Sequence, residues 1–409
     1  MTNSTKTRIL YIGMVPPEVG GQEAGGVATH AWQLAIQARK RGYEVYMLAN
    51  TISSFNKNGV NVIASPQRNK LSKIFHAIKI WPFIDKSKFN DINFLSFKKK
   101  ISVLYGACLL QKILNSVKPD LIHIHSLHNI QSLTLRLLQN SIPLVITDHG
   151  FWQGFRNSSK YKYEYILKKV QTTANLADCI ICVSKFSKIQ MDKNEIGQTK
   201  KRVVINNPIF PEGLPLINKQ KARDEMGLPE NKKILFFNGV SEPVQRKRLD
   251  LILKGILAND WLRANCKLVC ITNNEGLKYT EVFTGKIDIL VLPPQPWEKI
   301  VKFYNAADVF VMPSKSESLG IVYEESLLAG IPIIGFYQIV NELEHLLGIY
   351  IGEKFDAWSE DEKVLAEKII KVLNTEFDRE LLRKKVIENL SWDAKFGEFD
   401  SVYKELLSK

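Results

Sequence analysis

The stretch Ala307–Gly330, ADVFVMPSKSESLGIVYEESLLAG, constrains the fold more than any other part of the chain. Val309, Phe310, Val311 and Met312 form an apolar run of strand length, and Pro313 ends it. A polar turn follows, with Ser314, Ser316 and Ser318. Leu319, Val322, Tyr323 and Leu327 then recur at helical spacing, and Ala329 and Gly330 close the predicted helix. Glu317 and Glu325 stand eight residues apart, the first in the turn and the second about two turns into the helix. A helix start offers free backbone N–H groups and a positive dipole end, which suit an anion. A carboxylate repels phosphate but accepts hydrogen bonds from sugar hydroxyls. One turn can therefore hold a phosphate and two sets of hydroxyls.

The same strand–loop–helix unit opens each half of the chain. Arg8–Gly13 reads as a short parallel-type strand. The pairs Gly20-Gly21 and Gly25-Gly26 flank a loop, a helix pattern runs from Val27 to Lys40, and Gly42 stops it before the strand EVYMLAN. Glycines ahead of a helix start let a ligand approach the backbone, although this spacing is not a dinucleotide fingerprint and also reads as a plain turn. Lys233–Gly239 is the corresponding strand of the second half, followed by the loop VSEPVQRKR and the helix LDLILKGIL. The pattern predicts doubly wound α/β architecture twice over. A length of 409 residues fits two domains, the first closing near residue 208 with RVVINNP and joined to the second by the Pro/Gly-punctuated linker IFPEGLPLINKQ.

Charge is unevenly placed. Residues 1–208 carry 29 basic and 11 acidic side chains, a balance of +18, while the remainder is slightly acidic. Such asymmetry points to an anionic partner. Residues 66–100 concentrate it: nine basic residues meet two acidic ones, interleaved with Phe75, Trp81, Phe83, Phe89, Phe94 and Phe97. Two readings stand side by side. The stretch binds an acidic membrane surface, or it is a solvated helix whose aromatics pack inward. Nucleic acid is not expected, because no recognised nucleic-acid motif accompanies the patch. No run of eighteen apolar residues predicts a membrane span, and the opening MTNSTKTRILYIG has no signal-peptide pattern. Five cysteines form no dense framework and fit reduced thiols in a cytoplasmic protein, with Cys179 and Cys182 read as core residues of CIICV.

Two strands end in histidine. Pro119–His125 carries His123 and His125, and Ile142–Gly150 carries His149. Strand ends at the C-terminal edge of an open α/β sheet are where ligands bind. Zinc is not expected, since neither glutamate nor cysteine completes a ligand set at nearby spacing. Arg246, Lys247 and Arg248 precede a helix start, where a cation opposes the dipole unless an anion binds there too.

In order along the chain, GGVATH, HIH, TDHG, INNP, NGVSEPVQRKRLDLIL, YNAADVFVMPS, ESLGIVYEE and SWDAKF resemble a retaining glycosyltransferase of family 4, of the bacterial glycan-biosynthesis type. The resemblance spans the whole chain. It implies the GT-B fold: two Rossmann-like doubly wound domains (1–208 acceptor-side, 209–390 donor-binding) facing a cleft, with a C-terminal helix, 391–409, crossing back to the first. It implies that Glu325 binds the ribose of a nucleotide-sugar donor, that Glu317 meets the transferred sugar or its phosphate edge, and that Lys247 neutralises the diphosphate. Backbone amides of Ser318, Leu319 and Gly320 would meet sugar hydroxyls, and those of Ile321 and Val322 the diphosphate. Gly25 and Gly26 would approach it from the first domain, His125 would lie near the donor sugar, and His149 and Arg156 are acceptor-side candidates. Two departures stand out. Gly239-Val240 replaces the usual Gly-Arg, a loss that Arg246 would make good, and Gln338–Glu342 replaces the usual Gly-Gly-x-x-Glu. The implied activity is transfer of a hexose or N-acetylhexosamine, UDP-linked by the family's habit, to a glycan or lipid-linked acceptor in cell-surface polysaccharide synthesis. With no Asp-x-Asp in the chain, neither metal nor other cofactor is expected, and protein cations would take the diphosphate charge. Nucleotide-sugar epimerases and inverting transferases share the fold and are the alternative.

Overall fold

A computed structural model describes residues 6–22, 25–65, 70–128, 130–138, 141–152 and 160–409. The chain divides into two compact units, Met1–Asn206 with Phe396–Lys409, and Asn207–Lys395. In the first, strands β1 (Arg8–Ile12), β2 (Glu44–Ala49), β3 (Phe55–Lys57), β4 (Val60–Ala64), β5 (Leu121–His125), β6 (Leu144–Asp148), β7 (Cys179–Cys182) and β8 (Lys201–Val204) form one sheet. Their order is β3-β4-β2-β1-β5-β6-β7-β8, parallel throughout except for the β3–β4 hairpin. In the second, β9 (Lys233–Gly239), β10 (Cys266–Thr272), β11 (Ile289–Leu292), β12 (Val309–Met312), β13 (Ile333–Phe336) and β14 (Gly352–Phe355) pair in the order β11-β10-β9-β12-β13-β14, all parallel.

The central strands are buried on both faces, which is why their sequences run apolar without alternation. Winding reverses between β1 and β5 in one sheet and between β9 and β12 in the other. Loops leaving those strands diverge and open a crevice at the C-terminal edge of each sheet. His125 ends β5, Gly239 ends β9, and the serine-rich turn leaves β12, so the residues singled out in the sequence converge on the two reversal points.

Helix Trp392–Leu407 ends the chain, and from Phe396 onward it belongs to the first unit. Tyr403 there is fully buried, its hydroxyl 2.7 Å from His123 Nδ1 and 3.2 Å from the Tyr11 hydroxyl. Tyr43 donates to Asp400 at 2.6 Å, and the Arg41 guanidinium lies 4.3 Å from the centre of the Phe396 ring.

Several elements were not read from the sequence. The β3–β4 hairpin turns through Asn58 and Gly59, both at positive φ, and Asn-Gly is a strong two-residue hairpin signal. Strand β14 and the helix Arg379–Leu390 were likewise unread. All five cysteines are buried and free. Cys179 and Cys182, three apart on one strand, point to opposite faces, so they are core residues, and burial pushes the Cys179 thiol up to about 11. Among the described residues no helix is long and apolar enough to cross a membrane.

Tyr403→Phe removes the partner shared by buried His123 and Tyr11. The expected cost is about 1–3 kcal/mol, read as a lower urea midpoint of the full chain. Lys404→Ala, on the exposed side of the same helix, is expected to change stability by less than about 0.5 kcal/mol. Equal midpoints for the two variants would show that the helix docks without this hydroxyl.

Candidate functional site

In the second unit the site is built on the loops that leave β9 and β12. The helix after the serine turn runs Ile321–Leu328, two residues later than the sequence pattern suggests, because Gly320 adopts the left-handed conformation at φ +77°. A side chain there is excluded twice. The conformation favours glycine, and a Cβ would stand 2.8 Å from the Tyr323 ring. Tyr323 is the strut beneath the turn. Its buried hydroxyl donates to the Met312 carbonyl at 2.7 Å and accepts from the Phe336 amide at 3.1 Å, tying the ends of β12 and β13 together. The amides of Ser318 through Val322 are thereby fixed at the start of a helix, where the first N–H groups have no intrahelical acceptor.

Glu317 lies buried in this turn with two cations. Lys247 Nζ donates to it at 2.6 Å and Arg246 Nη1 at 3.5 Å. Burial pushes the carboxyl up, but the two cations outweigh that and hold it below the usual carboxylate range, so it is ionised. Arg246 also bonds Glu242 at 3.0 Å, and its carbonyl accepts from the Lys315 amide at 2.9 Å, locking the two loops together. Arg248 behaves differently from its neighbours. It adopts φ +61°, and its fully buried side chain reaches the Asp356 and Ala357 carbonyls at 3.5 Å each and Glu360 at 3.1 Å. The sequence placed three cations against a helix start. The structure turns Arg248 away as the anchor of the loop and leaves Arg246 and Lys247 beside Glu317.

Glu325 lies on the helix, half-covered at its surface but crowded by protein around the carboxyl. Tyr304 donates to it at 2.7 Å, yet desolvation pushes the group up to about 7. Its neighbour Glu324 is fully buried, and neither carboxyl oxygen has a hydrogen-bond partner. Burial, then the nearby Glu325 and Glu342 against the opposing Lys395, hold Glu324 well above the usual range and therefore protonated. Tyr304 and Glu324 are not singled out in the sequence, Tyr323 reads there only as a helix-face residue, and Arg248 only as one of three helix-start cations. Each looks like a core or surface residue until its contacts are known.

In the first unit four histidines cluster at the β1–β5 reversal. His123 is saturated by Tyr403 and by Thr147, each at 2.7 Å. His125 Nδ1 lies 3.2 Å from His149 Nε2, and its own Nε2 is buried with no hydrogen-bond partner. His30, from helix Gly26–Lys40, presents its ring edgewise to His149 with centroids 5.0 Å apart. Burial lowers all four pKa values, that of His123 to about 3 and that of His149 to about 4, so the rings are neutral. Nitrogens of His30, His125 and His149 lie within 4.8 Å of one another and could hold a metal ion. In the sequence neither glutamate nor cysteine completes a zinc-ligand set beside these histidines at nearby spacing, but a third ligand need not be near in sequence. The structure supplies one from a distant helix. Gly25 caps that helix at φ +128°, where a side chain is strained, and Gly26 is its first residue. Arg156 falls outside the described residues.

Comparison with known proteins fits this geometry. Residues 24–212 match the family model described as Glycosyltransferase Family 4, and residues 218–390 match the one described as Glycosyl transferases group 1. The chain belongs to the two-domain glycosyltransferases of the GT-B fold that these models describe. It is 29% identical over 323 residues to an uncharacterised glycosyltransferase of Methanocaldococcus jannaschii, covering 75% of this chain and 81% of that protein. Among solved structures, sucrose-phosphate synthase of Thermosynechococcus elongatus matches with a TM-score of 0.73 at 17% identity, over 98% of this chain and all of that one. HepE of Anabaena, solved with UDP and glucose, matches at 0.66 and 14% identity, over 98% and 100% of the two chains.

The raised pKa of Glu325 has a stability consequence. An unfolded glutamate ionises near 4.5 while the folded one holds its proton to about 7, so native stability falls as pH rises between those values. Glu325→Gln removes that slope. The variant is expected to gain about 1–3 kcal/mol relative to wild type between pH 4.5 and 7.5, read from urea midpoints at both ends. Parallel pH profiles would place the Glu325 pKa in the ordinary range.

Proposed function

We propose that the second unit binds a nucleoside diphosphate sugar and that the enzyme transfers its hexose or N-acetylhexosamine, with retained anomeric configuration, to a glycan or lipid-linked acceptor of cell-surface polysaccharide synthesis. The observation that carries this reading is the buried pairing of Glu317 with Lys247 at 2.6 Å, Arg246 beside it, at the start of the helix that also bears Glu325. Two cations gathered beside a helix start, where the backbone N–H groups and the dipole already favour negative charge, suit a bound diphosphate. In this reading the diphosphate takes charge compensation from Lys247, Arg246 and the amides of Ile321 and Val322. Glu317, released from part of that pairing, accepts hydrogen bonds from the sugar, as do the amides of Ser318 to Gly320. Glu325 meets the ribose. UDP is the favoured nucleotide, in keeping with the HepE complex.

Cleavage of the anomeric C–O bond builds positive charge on the sugar and negative charge on the departing diphosphate. Donors fixed before the reaction stabilise that charge without reorganising. The acceptor oxygen then bonds the anomeric carbon on the face the diphosphate leaves, while the leaving phosphate oxygen takes its proton, and attack on that face preserves configuration. His125, neutral and with Nε2 unbonded, is suited to hydrogen-bond a sugar hydroxyl. We place the reaction at the cytoplasmic face of a membrane and without need of a divalent cation, so transfer should persist in chelator.

Lys247→Ala is expected to lower kcat/KM about 10²–10³-fold while circular dichroism stays native, and UDP should raise the melting temperature of the wild type more than that of the variant. Wild-type turnover in Lys247→Ala would refute the assignment. Donor incubated alone separates the alternatives: inversion of a sugar carbon without acceptor would make the protein an epimerase, and an anomerically inverted product an inverting transferase.

A further inference from the structure

The helix Lys70–Ile80 carries apolar side chains on two faces. Ala77 and Ile80 are buried and belong to the core of the first unit, where this helix packs on helix Phe97–Val117. Ile74, Phe75 and Ile78 point elsewhere. At about 100° per residue they share one arc opposite the buried pair, and Phe75 and Ile78 are 66% and 68% exposed. The chain continues without a break into the short 3-10 helix Trp81–Phe83, whose Phe83 is also 68% exposed. Phe97, the first residue of the next long helix, is 78% exposed. Phe89 and Phe94, by contrast, pack against the core. Inward packing thus accounts for some aromatics of the segment and leaves an exposed row besides.

Lysines are interspersed with these exposed apolar residues along the chain. Residues 73–100 hold seven lysines and two aspartates. Asp91 is taken by Arg136 at 2.8 Å, and Asp85 caps the helix Lys86–Phe89 through Ser87. Lys79, Lys86 and Lys98 are exposed. Water solvates the lysines at no cost but not the row of Ile and Phe. A second copy of the chain would cover the apolar row while bringing like charges together. Nucleic acid would answer the lysines and leave the apolar row wet. An anionic bilayer satisfies both, with side chains entering the headgroup boundary and lysines meeting phosphates.

We propose that Ile74, Phe75, Ile78, Trp81 and Phe83 insert into an anionic lipid surface, held there by Lys79, Lys86 and Lys98. This deepens the membrane-face part of the function proposed above, and does not depend on donor chemistry. The test is sedimentation of the full chain, without nucleotide sugar, with vesicles of phosphatidylcholine alone or with a third phosphatidylglycerol, at low and high salt. Binding is expected only to the anionic vesicles and to weaken with salt. The combined variant Ile74→Ser, Phe75→Ser, Ile78→Ser should lose about tenfold or more in partitioning, and Lys79→Gln with Lys98→Gln about fivefold per lysine. Both variants should keep the wild-type thermal shift with UDP, which reads the donor site separately. No binding of the wild type to anionic vesicles at low salt would overturn the proposal, as would undiminished binding of the serine variant. A dimer in light scattering that the serine variant dissolves, without vesicle binding, would assign the face to a second copy instead.

Discussion

A buried ion pair that satisfies itself too well is the constraint on which the site depends. Glu317 has given up water for two cations, and removing ions from water costs several kcal/mol each even after relaxation. Close geometry, 2.6 Å to Lys247, recovers much of that. Arg246 is shared with Glu242 at 3.0 Å, so two cations face two carboxylates, and what favours a further anion is the helix start that the cluster borders. Arg248 makes the arrangement rigid. It accepts a left-handed backbone that most residues avoid, and the bonds from its guanidinium to the carbonyls that follow β14 hold it there. The loop therefore presents its two neighbouring cations without having to order them when ligand arrives.

The underside of the same turn is organised by size rather than charge. Tyr323 fills the space beneath the turn so fully that Gly320 and Gly335 must lack side chains, since a Cβ on either would come within 2.8 Å of its ring. Its hydroxyl spans two strand ends through one donated and one accepted bond. A phenylalanine would pack equally well but would lose both of these bonds, and with them the tie between the ends of β12 and β13.

How much of this the sequence disclosed varies with the physics involved. The apolar run Val309–Met312 and the helical spacing after it revealed the strand, the turn and the two glutamates, because periodicity records which face is buried. Asn58-Gly59 disclosed a hairpin to anyone weighing turn chemistry, and was passed over because the flanking strands are short and polar. Arg248 could not be read. Three consecutive cations look alike until the backbone turns one of them inward. His30 belonged to a glycine-rich loop motif, and only folding brings it beside His125 and His149 from another helix. The exposed row at Ile74, Phe75 and Ile78 was half legible: composition announced a basic aromatic segment, while the division into inward and outward aromatics needed the neighbouring helix.

Two adjacent glutamates on one short helix complete the division of labour with the turn. Glu317, countered by cations, is an acceptor only. Glu325, near neutrality in its tendency to ionise, can hold its proton and so both donate to and accept from a hydroxyl. Glu324, buried and without a partner, stays protonated and adds no charge of its own beside Glu325. Two carboxyl groups eight residues apart thus acquire opposite protonation habits from their surroundings alone. In the function proposed above, a ligand with phosphate at one side and vicinal hydroxyls at the other would meet the cationic end and the raised-pKa acid in the order the helix sets them.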